Sequence, residues 1–358
     1  MLNLSIEETP LKWRYGDGIR LKEGVTVESI MRESERIREL SSDLIVYKKD
    51  IYSRANEEGF RFLIYNKMYY ASDWAVHYIC TSHGVSKRYL SSLLHLAKER
   101  NYKPFVGLAN DTINTFLNSP SRKEVKLLKN GGNKGDSLDN NGKYLVRIIG
   151  DNYIRAIRSS NFKVKDNYPL LLDIKDTINR YYTLTSGIVD YNVLVLRMYL
   201  DEKRVFLDRG VKIGLQLKNS ETGYYALQIQ LLVSIDNIEF SSKTLLNIRH
   251  NTKAINTVDV NKYMEDIVLC YKDKIFKSIE ENIENNKIEE SRYADIINEM
   301  KRFLNKEDYD ELNNFSGKIN KLELSKKVLN ICKDYNFVRK ELIESLVVDK
   351  ILELTIEV

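Results

Sequence analysis

Strand-like and helix-like patterns occupy different parts of this 358-residue chain, and their separation constrains its fold more than any other feature. Apolar, β-rich segments at residues 144–149, 192–199 and 224–233 predict strands in the middle third. From Val258 onward, apolar residues recur at helical spacing with few glycines, which predicts amphipathic helices. Because strands and helices do not alternate regularly, we expect an α+β fold: a mixed, largely antiparallel sheet with flanking helices and a helical C-terminal region.

The same patterns divide the chain into three parts. Residues 1–54 are charged and broken by glycines, and we expect an N-terminal arm or packing extension with one helix near residues 28–40. Residues 55–256 form the expected α+β core, and residues 257–358 the helical region. Within the core, residues 129–143 have almost no apolar side chain and are rich in Gly and Asn, which predicts an exposed loop.

Membrane and secreted classes of protein do not fit the sequence. No run of eighteen apolar residues occurs, and the first residues lack the basic and apolar blocks of a secretion signal. The three cysteines, Cys80, Cys270 and Cys332, lie far apart and predict neither a disulfide framework nor a zinc knuckle. We therefore expect a cytoplasmic protein with no membrane partner.

Basic residues are concentrated in the first two-thirds of the chain. Up to residue 256 there are 39 Lys and Arg against 29 Asp and Glu, whereas residues 257–358 carry 17 basic and 22 acidic residues. The excess is highest between Ser121 and Lys165, where eleven basic residues accompany four acidic ones. Such a density is typical of a surface that binds phosphates. A solvated face with a mobile loop is the alternative.

Aromatic residues alternate with the cations at the end of this basic segment. Cations can follow a nucleic-acid backbone while rings stack on bases, a combination that tolerates any base sequence. We therefore predict nucleic-acid contacts from Arg147, Tyr153, Arg155, Arg158, Phe162, Lys163 and Lys165. Exposed arginines contribute little to folding, so replacing Arg155 and Arg158 by alanine should leave the melting temperature nearly unchanged.

Two short helices separated by a glycine are predicted before the basic segment. Ser72 and Ser86 can cap helices whose apolar residues recur at helical spacing, and Gly84 separates them. The pair is compatible with a DNA-binding helix-turn-helix, in which Ser86 to Tyr89 would begin the recognition helix. Two packed helices without that role are the more common arrangement.

Recognisable signatures of catalysis are absent from the sequence. Four scattered histidines, His77, His83, His95 and His250, have no metal-binding spacing, and no phosphate-loop motif occurs. The sequence thus predicts no metal and no cofactor and favours a protein that is not an enzyme, although distant carboxylates can converge on a metal. Arg249 and His250 follow a strand-like segment, and we predict that they contact phosphate.

The segment Asn219-Ser220-Glu221-Thr222-Gly223 has two interpretations. As a tight turn, Asn219 and Ser220 bond to their own backbone and Gly223 takes a positive φ before the next strand. This interpretation gives the charge of Glu221 no task, so a glutamine there should be tolerated. Alternatively, Asn219, Ser220 and Glu221 contact a ligand.

Several blocks of the sequence resemble one known family. They are Gly84-Val85-Ser86-Lys87-Arg88-Tyr89-Leu90, the arginine-rich residues 147–167 closing on Asp166-Asn167, the Asn-Ser-Glu block at 219–223, and Ile248-Arg249-His250. Together they resemble the phage- and plasmid-encoded domain-of-unknown-function family 932 over residues 71–253. The family often has a Cys-x-Asn pair after the Asn-Ser-Glu block, where this chain has Ser234-Ile235-Asp236-Asn237, so thiol chemistry is not expected there.

The resemblance implies an origin in a mobile element, an α+β fold and a bacterial host. Together with the basic, aromatic segment, it leads to the hypothesis of a nucleic-acid-binding protein that acts on single-stranded DNA in replication or recombination, as a homo-oligomer. The rival hypothesis is a host-interaction or anti-defence protein that binds a host protein or a nucleotide through its acidic helical region.

Overall fold

The computed structural model describes residues 21–119, 142–284, 287–288, 290–314 and 320–352. Over these residues, two six-stranded sheets with flanking helices and a helical C-terminal region confirm the predicted α+β fold. All but the last two residues of the predicted loop at 129–143 lie outside the described part of the chain.

The strands and helices are numbered here in chain order. The strands are β1 (Lys22–Glu23), β2 (Ser41–Tyr47), β3 (Ile51–Ser53), β4 (Arg61–Ile64), β5 (Lys67–Ala71), β6 (Lys143–Ile149), β7 (Tyr153–Ser159), β8 (Tyr182–Val189), β9 (Leu194–Phe206), β10 (Arg209–Asn219), β11 (Leu227–Ile235) and β12 (Ile238–Ile248). The helices are α1 (Val27–Glu39), α2 (Asp73–His83), α3 (Lys87–Glu99), α4 (Pro104–Asn118), α5 (Asn167–Tyr181), α6 (Ala254–Thr257), α7 (Val260–Asp266), α8 (Lys272–Glu284), α9 (Glu290–Met300), α10 (Lys306–Asn313), α11 (Lys321–Ile331) and α12 (Phe337–Leu346).

The first sheet is antiparallel throughout and has the order β1-β8-β9-β10-β11-β12. Two-residue turns, Leu207–Asp208 and Asp236–Asn237, join β9 to β10 and β11 to β12, and all four of these residues have positive φ. Two consecutive positive φ angles match the right-handed twist of a tight hairpin. Tyr65–Asn66 forms the same kind of turn between β4 and β5.

The second sheet has the order β2-β6-β7-β5-β4-β3 and is antiparallel except for the short β5–β7 pair. Its two edge strands, β2 and β3, are joined by only three residues, Lys48–Asp50. The four Cα–Cα steps from Tyr47 to Ile51 span at most ~14 Å. In a flat sheet, the edges of six strands would lie ~24 Å apart. The second sheet is therefore strongly curled.

Each sheet packs on its own set of helices. The first core joins the first sheet to α1, α5 and the C-terminal helices, and the second joins the second sheet to α2, α3 and α4. Residues 21–54 supply α1 to the first core and β2 and β3 to the second sheet, so they belong to the folded body rather than to an arm. Apolar side chains from the described residues between Val260 and Leu352 likewise pack on the first sheet.

The helix pair predicted around Gly84 is present. The hydroxyl groups of Ser72 and Ser86 accept hydrogen bonds from the first turns of α2 and α3, and Gly84 ends α2 with a φ of 76°. Lys87, at the start of α3, pairs with Asp73 at the start of α2. None of the described helices is both long enough and apolar enough to span a bilayer.

Buried polar side chains join the first sheet to α12. Arg197 of β9 donates to Gln216 of β10 (2.6 Å) and to Glu344 of α12 (3.1 Å). Lys218 of β10 pairs with Glu341, one helical turn earlier in α12. Two glutamates of α12 therefore neutralise cations that lie inside the protein.

Gly214 and Gly107 provide a matched test of the packing within the fold. A Cβ at Gly214 would lie 2.1 Å from the carbonyl oxygen of Met198, whereas a Cβ at Gly107, in α4, would meet nothing within 4 Å. We expect Gly214→Ala to lower the free energy of unfolding by about 1–3 kcal/mol. Gly107→Ala should instead raise it by about 0.5–1 kcal/mol through helix propensity. Urea titrations of both variants measure these changes, and equal stabilities would contradict the strand register at Gly214.

Candidate functional site

The Asn-Ser-Glu block forms a buried turn between the two sheets. It follows β10, and the amide of Gly223 donates to the carbonyl oxygen of Ser220 (3.1 Å). The hydroxyl of Ser220 accepts from the amide of Tyr224 (2.8 Å) and donates to the carbonyl oxygen of Asn192 (2.5 Å). Gly223 has a φ of +73°, so both the turn and the positive φ are confirmed. Buried Asn219, however, does not bond to its own backbone: its Nδ2 donates to the carbonyl oxygen of Lys165 (2.7 Å) and to Asn167 Oδ1 (2.8 Å).

Glu221 has a defined partner, and the expectation that its charge has no task is wrong. The side chain is 2% exposed. Its carboxylate accepts from Arg155 Nη2 (2.7 Å) and from the backbone amide of Asn167 (2.7 Å), and Arg147 Nη1 lies 4.0 Å away. A buried carboxylate normally requires such partners. Glu221 therefore connects β7 and the start of α5 to the turn after β10.

Arg147 is also inside the protein, with an exposed fraction of 3%. Its guanidinium donates to Asp43 (2.8 Å), to Asp166 (3.1 Å) and to the carbonyl oxygen of Glu221 (2.7 Å). One arginine on β6 thus contacts β2, the residue before α5 and the buried turn. Its hydrogen-bonding groups are directed at protein atoms rather than at solvent.

Arg155 is the extra residue of a β-bulge in β7. Arg147 pairs with Ala156, and the next residue, Ile148, pairs with Ile154, so Arg155 has no partner in β6. A bulge redirects a side chain locally. Arg155 is 1% exposed and donates to Glu221 and to the carbonyl oxygen of Tyr191 (2.9 Å). Burial lowers the pKa of this guanidinium, and the neighbouring Arg147 lowers it further.

Arg158, 9% exposed, is held by rings rather than by carboxylates. Its guanidinium carbon lies 4.7 Å from the ring centre of Trp74, 5.3 Å from that of Tyr78 and 5.9 Å from that of Phe162. Its Nε donates to the carbonyl oxygen of Thr222 (2.6 Å). Burial lowers the pKa of Arg158 to about 10, so it remains charged at neutral pH.

The exposed positive surface expected from Arg147, Arg155 and Arg158 is therefore not present. Tyr153 and His250 are buried as well. The other predicted contacts lie nearer to solvent: Lys163 and Arg249 are exposed, Phe162 is half-buried, and half-buried Lys165 has its Nζ 3.8 Å from Asp173. Replacement of Arg155 and Arg158 together should consequently affect folding, because buried Glu221 would lose its ion-pair partner Arg155, contrary to the sequence-based expectation.

His250 holds the segment that follows β7 in place through hydrogen bonds and ring stacking. Its Nδ1 donates to the carbonyl oxygen of Lys163 (3.0 Å), and the amide of Lys163 donates to the carbonyl oxygen of His250 (2.7 Å). The ring stacks on Phe162 with 5.0 Å between ring centres. Burial lowers the pKa of His250, which favours the neutral ring at neutral pH. These contacts give His250 a positioning task, whereas the adjacent Arg249 points to solvent.

An uncovered sheet surface was not predicted from the sequence. In the register of the second sheet, Tyr52 lies opposite Leu63 and Leu63 opposite Met68, while Arg61 lies opposite Tyr70. Directly opposed residues share a face, and these five residues, here called the open face, are all exposed or half-buried. Their neighbours on the other face, such as Phe62 and Ile64, are buried in the core with α2, α3 and α4.

Cations lie over the rings of the same sheet. The guanidinium of Arg61 is 4.7 Å from the ring centre of Tyr70, and Lys67 Nζ is 5.2 Å from that of Tyr69. At the opposite edge, Lys49 and Lys143 lie 5.6 and 4.8 Å from the ring of exposed Tyr47. Residues 60–65 are aromatic and β-branched and alternate only loosely, which indicates a strand but not which of its faces is uncovered.

The described residues contain no group of three or more His, Cys, Asp or Glu side chains arranged to hold a metal ion. Comparison with known protein families, with curated proteins and with solved structures finds no match to this chain. The resemblance to family 932 therefore stays a prediction.

Two ion pairs of equal length test the role of Glu221. Glu221 and Glu58 each accept from an arginine Nη2 at 2.7 Å, but Glu58 is 74% exposed. Removing one partner of a buried pair leaves an uncompensated charge, so Glu221→Gln should lower the free energy of unfolding by about 3–5 kcal/mol. Glu58→Gln should cost less than about 1 kcal/mol. Urea unfolding measures both changes, and a Glu221→Gln protein as stable as wild type would contradict the structural role.

Proposed function

We propose that the protein binds single-stranded nucleic acid, with DNA as the favoured form, through the open face of its second sheet. The observation that carries the proposal is the strand register, which collects two tyrosines, two apolar side chains and an arginine on one surface outside the helical core. Single-strand-binding proteins commonly combine rings that stack on bases with cations that follow the backbone.

Tyr52 has the exposure that stacking requires, whereas Tyr70 also packs against the cluster of Ile37, Ile149 and Tyr153. Tyr52 is 46% exposed at the edge of the sheet, and Tyr70 is half-buried two strands away. Neighbouring strands lie about 4.8 Å apart. The two rings are therefore separated by a distance that a flexible strand of nucleotides can bridge. Leu63 and Met68 lie between them and offer apolar surface to the bases.

The cations of this sheet that contact tyrosine rings can instead bind a phosphate group. Arg61 has a side chain that is 25% exposed and pairs with Glu58 (2.7 Å), and Lys49 is exposed, whereas exposed Lys67 alternates with Met68 and so lies on the other face of the sheet. Their contacts with tyrosine rings involve the same charge that would pair with a phosphodiester. Binding by such residues releases counterions and is independent of base sequence.

The rival hypothesis, a protein partner, is favoured by a different surface. The hairpin that joins β9 to β10 carries exposed Val205 and Leu207 beside Arg204 and Arg209. Apolar side chains flanked by arginines are common at protein interfaces. A phage or plasmid origin, a homo-oligomer and a cytoplasmic location accompany the proposed function as expectations.

Two equally exposed tyrosines allow a matched test of the open face. Tyr52 is 46% exposed, and Tyr89, on helix α3, is 48% exposed. Stacking contributes about 1–3 kcal/mol per base, so Tyr52→Ala should weaken binding of a fluorescent oligothymidylate about 5- to 100-fold. Tyr89→Ala should leave the affinity unchanged. Fluorescence anisotropy measures both, and equal affinities of the two variants would reject the open face as the binding surface.

The salt dependence of the same complex tests the phosphate contacts. Each contact with a single strand contributes a log–log slope of roughly −0.7, so Arg61→Ala should make the slope less steep by about that amount. Binding of single-stranded DNA, single-stranded RNA and duplex DNA of one sequence should be compared. An affinity that does not change between low and moderate salt would contradict nucleic-acid binding altogether.

A further inference from the structure

Arg158 differs from the other three buried arginines of the described chain, of which Arg197 pairs with Glu344. Arg147 and Arg155 each have carboxylates within ion-pair distance. For Arg158, no Asp or Glu in the described part of the chain lies that close, although nine-tenths of the residue is buried. Buried charges are normally paired. Ring faces compensate only part of the cost of removing a guanidinium from water.

One nitrogen of the Arg158 guanidinium, Nη2, makes no hydrogen bond with a described residue. The Nε position is occupied by the carbonyl oxygen of Thr222 at 2.6 Å. Nη2 is buried, and no described residue accepts a hydrogen bond from it. The rings of Trp74, Tyr78 and Phe162 fix the plane of the guanidinium. The side chain is therefore held in a fixed orientation, and its Nη2 donor has no acceptor.

The surroundings of this donor are aromatic and positive. His77 stacks on Trp74 with 4.7 Å between ring centres, and His250 stacks on Phe162. The pKa of His77 is lowered by burial and further by the charges of Arg158 and Lys87, which shows that both cations act on this region. Phe162 is half-buried and precedes exposed Lys163, in a segment between β7 and α5 that has no helix or strand.

We propose that Arg158 binds a phosphate monoester, the group carried by a nucleotide or by the 5′ end of a strand. A guanidinium and a phosphate form charge-assisted hydrogen bonds, and a phosphate would supply the acceptor that Nη2 lacks. Because Nη2 is itself buried, the ligand can reach it only when a half-buried ring, Phe162 or Tyr78, moves aside, and the surrounding rings then offer surface to a base. The site involves no residue of the open face, so it does not rest on the proposed function.

The experiment compares thermal unfolding in sodium phosphate and in sodium chloride of equal ionic strength. Phosphate should raise the melting temperature of the wild type above its value in chloride, because the ligand binds the folded state. Arg158→Met should abolish this rise. In chloride alone, Arg158→Met should not greatly destabilise the protein, since methionine replaces a buried charge that has no carboxylate partner. Arg180→Met, which removes an exposed arginine, should retain the full rise.

If the Arg158→Met variant does not fold, Arg158→Lys is measured in its place. Lysine retains the charge but lacks the planar fork, so the apparent affinity for phosphate should fall about tenfold, the equivalent of one charge-assisted hydrogen bond. Comparing a nucleoside 5′-monophosphate with oligonucleotides that carry or lack a 5′-phosphate distinguishes the two sources of the group. A wild type that phosphate does not stabilise, or an Arg158 variant that keeps the wild-type affinity, would overturn the proposal.

Discussion

The buried ion pair between Arg155 and Glu221 is the interaction on which the arrangement of the two sheets depends. Arg155 belongs to the second sheet, and Glu221 follows the strand β10 of the first. Arg147 extends the connection to Asp43 on β2 and to Asp166 before α5. Ion pairs of this kind contribute less to stability than apolar packing does, but they have strict geometric requirements. In this fold they set how two separately packed cores meet.

The sequence predicted the positions of helices and strands better than it predicted which residues contact one another across the fold. Helices α2 and α3 have serine caps and apolar residues at helical spacing, and their positions are close to those predicted. Strand β7 was missed because the bulge at Arg155 breaks its alternation. The partners of the arginines could not be predicted, since Arg147 and Asp43 are 104 residues apart and Arg155 and Glu221 are 66 apart. Local patterns contain no information on such contacts.

Charge along the sequence is therefore a poor guide to charge on the surface of this protein. The segment with the highest basic density places three of its arginines inside, where carboxylates and rings surround them. The acidic C-terminal region contributes Glu341 and Glu344 to neutralise Lys218 and Arg197 of the first sheet. The cations and rings available for binding form a smaller set on the second sheet. Counting basic residues along the sequence did not identify them.

The connectivity of the curled sheet also has a consequence for synthesis on the ribosome. β2 pairs with β6, whose first residue follows the last residue of β2 by almost one hundred positions, and β7 comes later still. At about 5–20 residues per second, the ribosome needs roughly 5–20 s to proceed from β2 to the end of β7. During this interval the nascent chain holds β2 without its partner strand. An unpaired strand edge of this kind is a target for chaperones and for pairing with other chains.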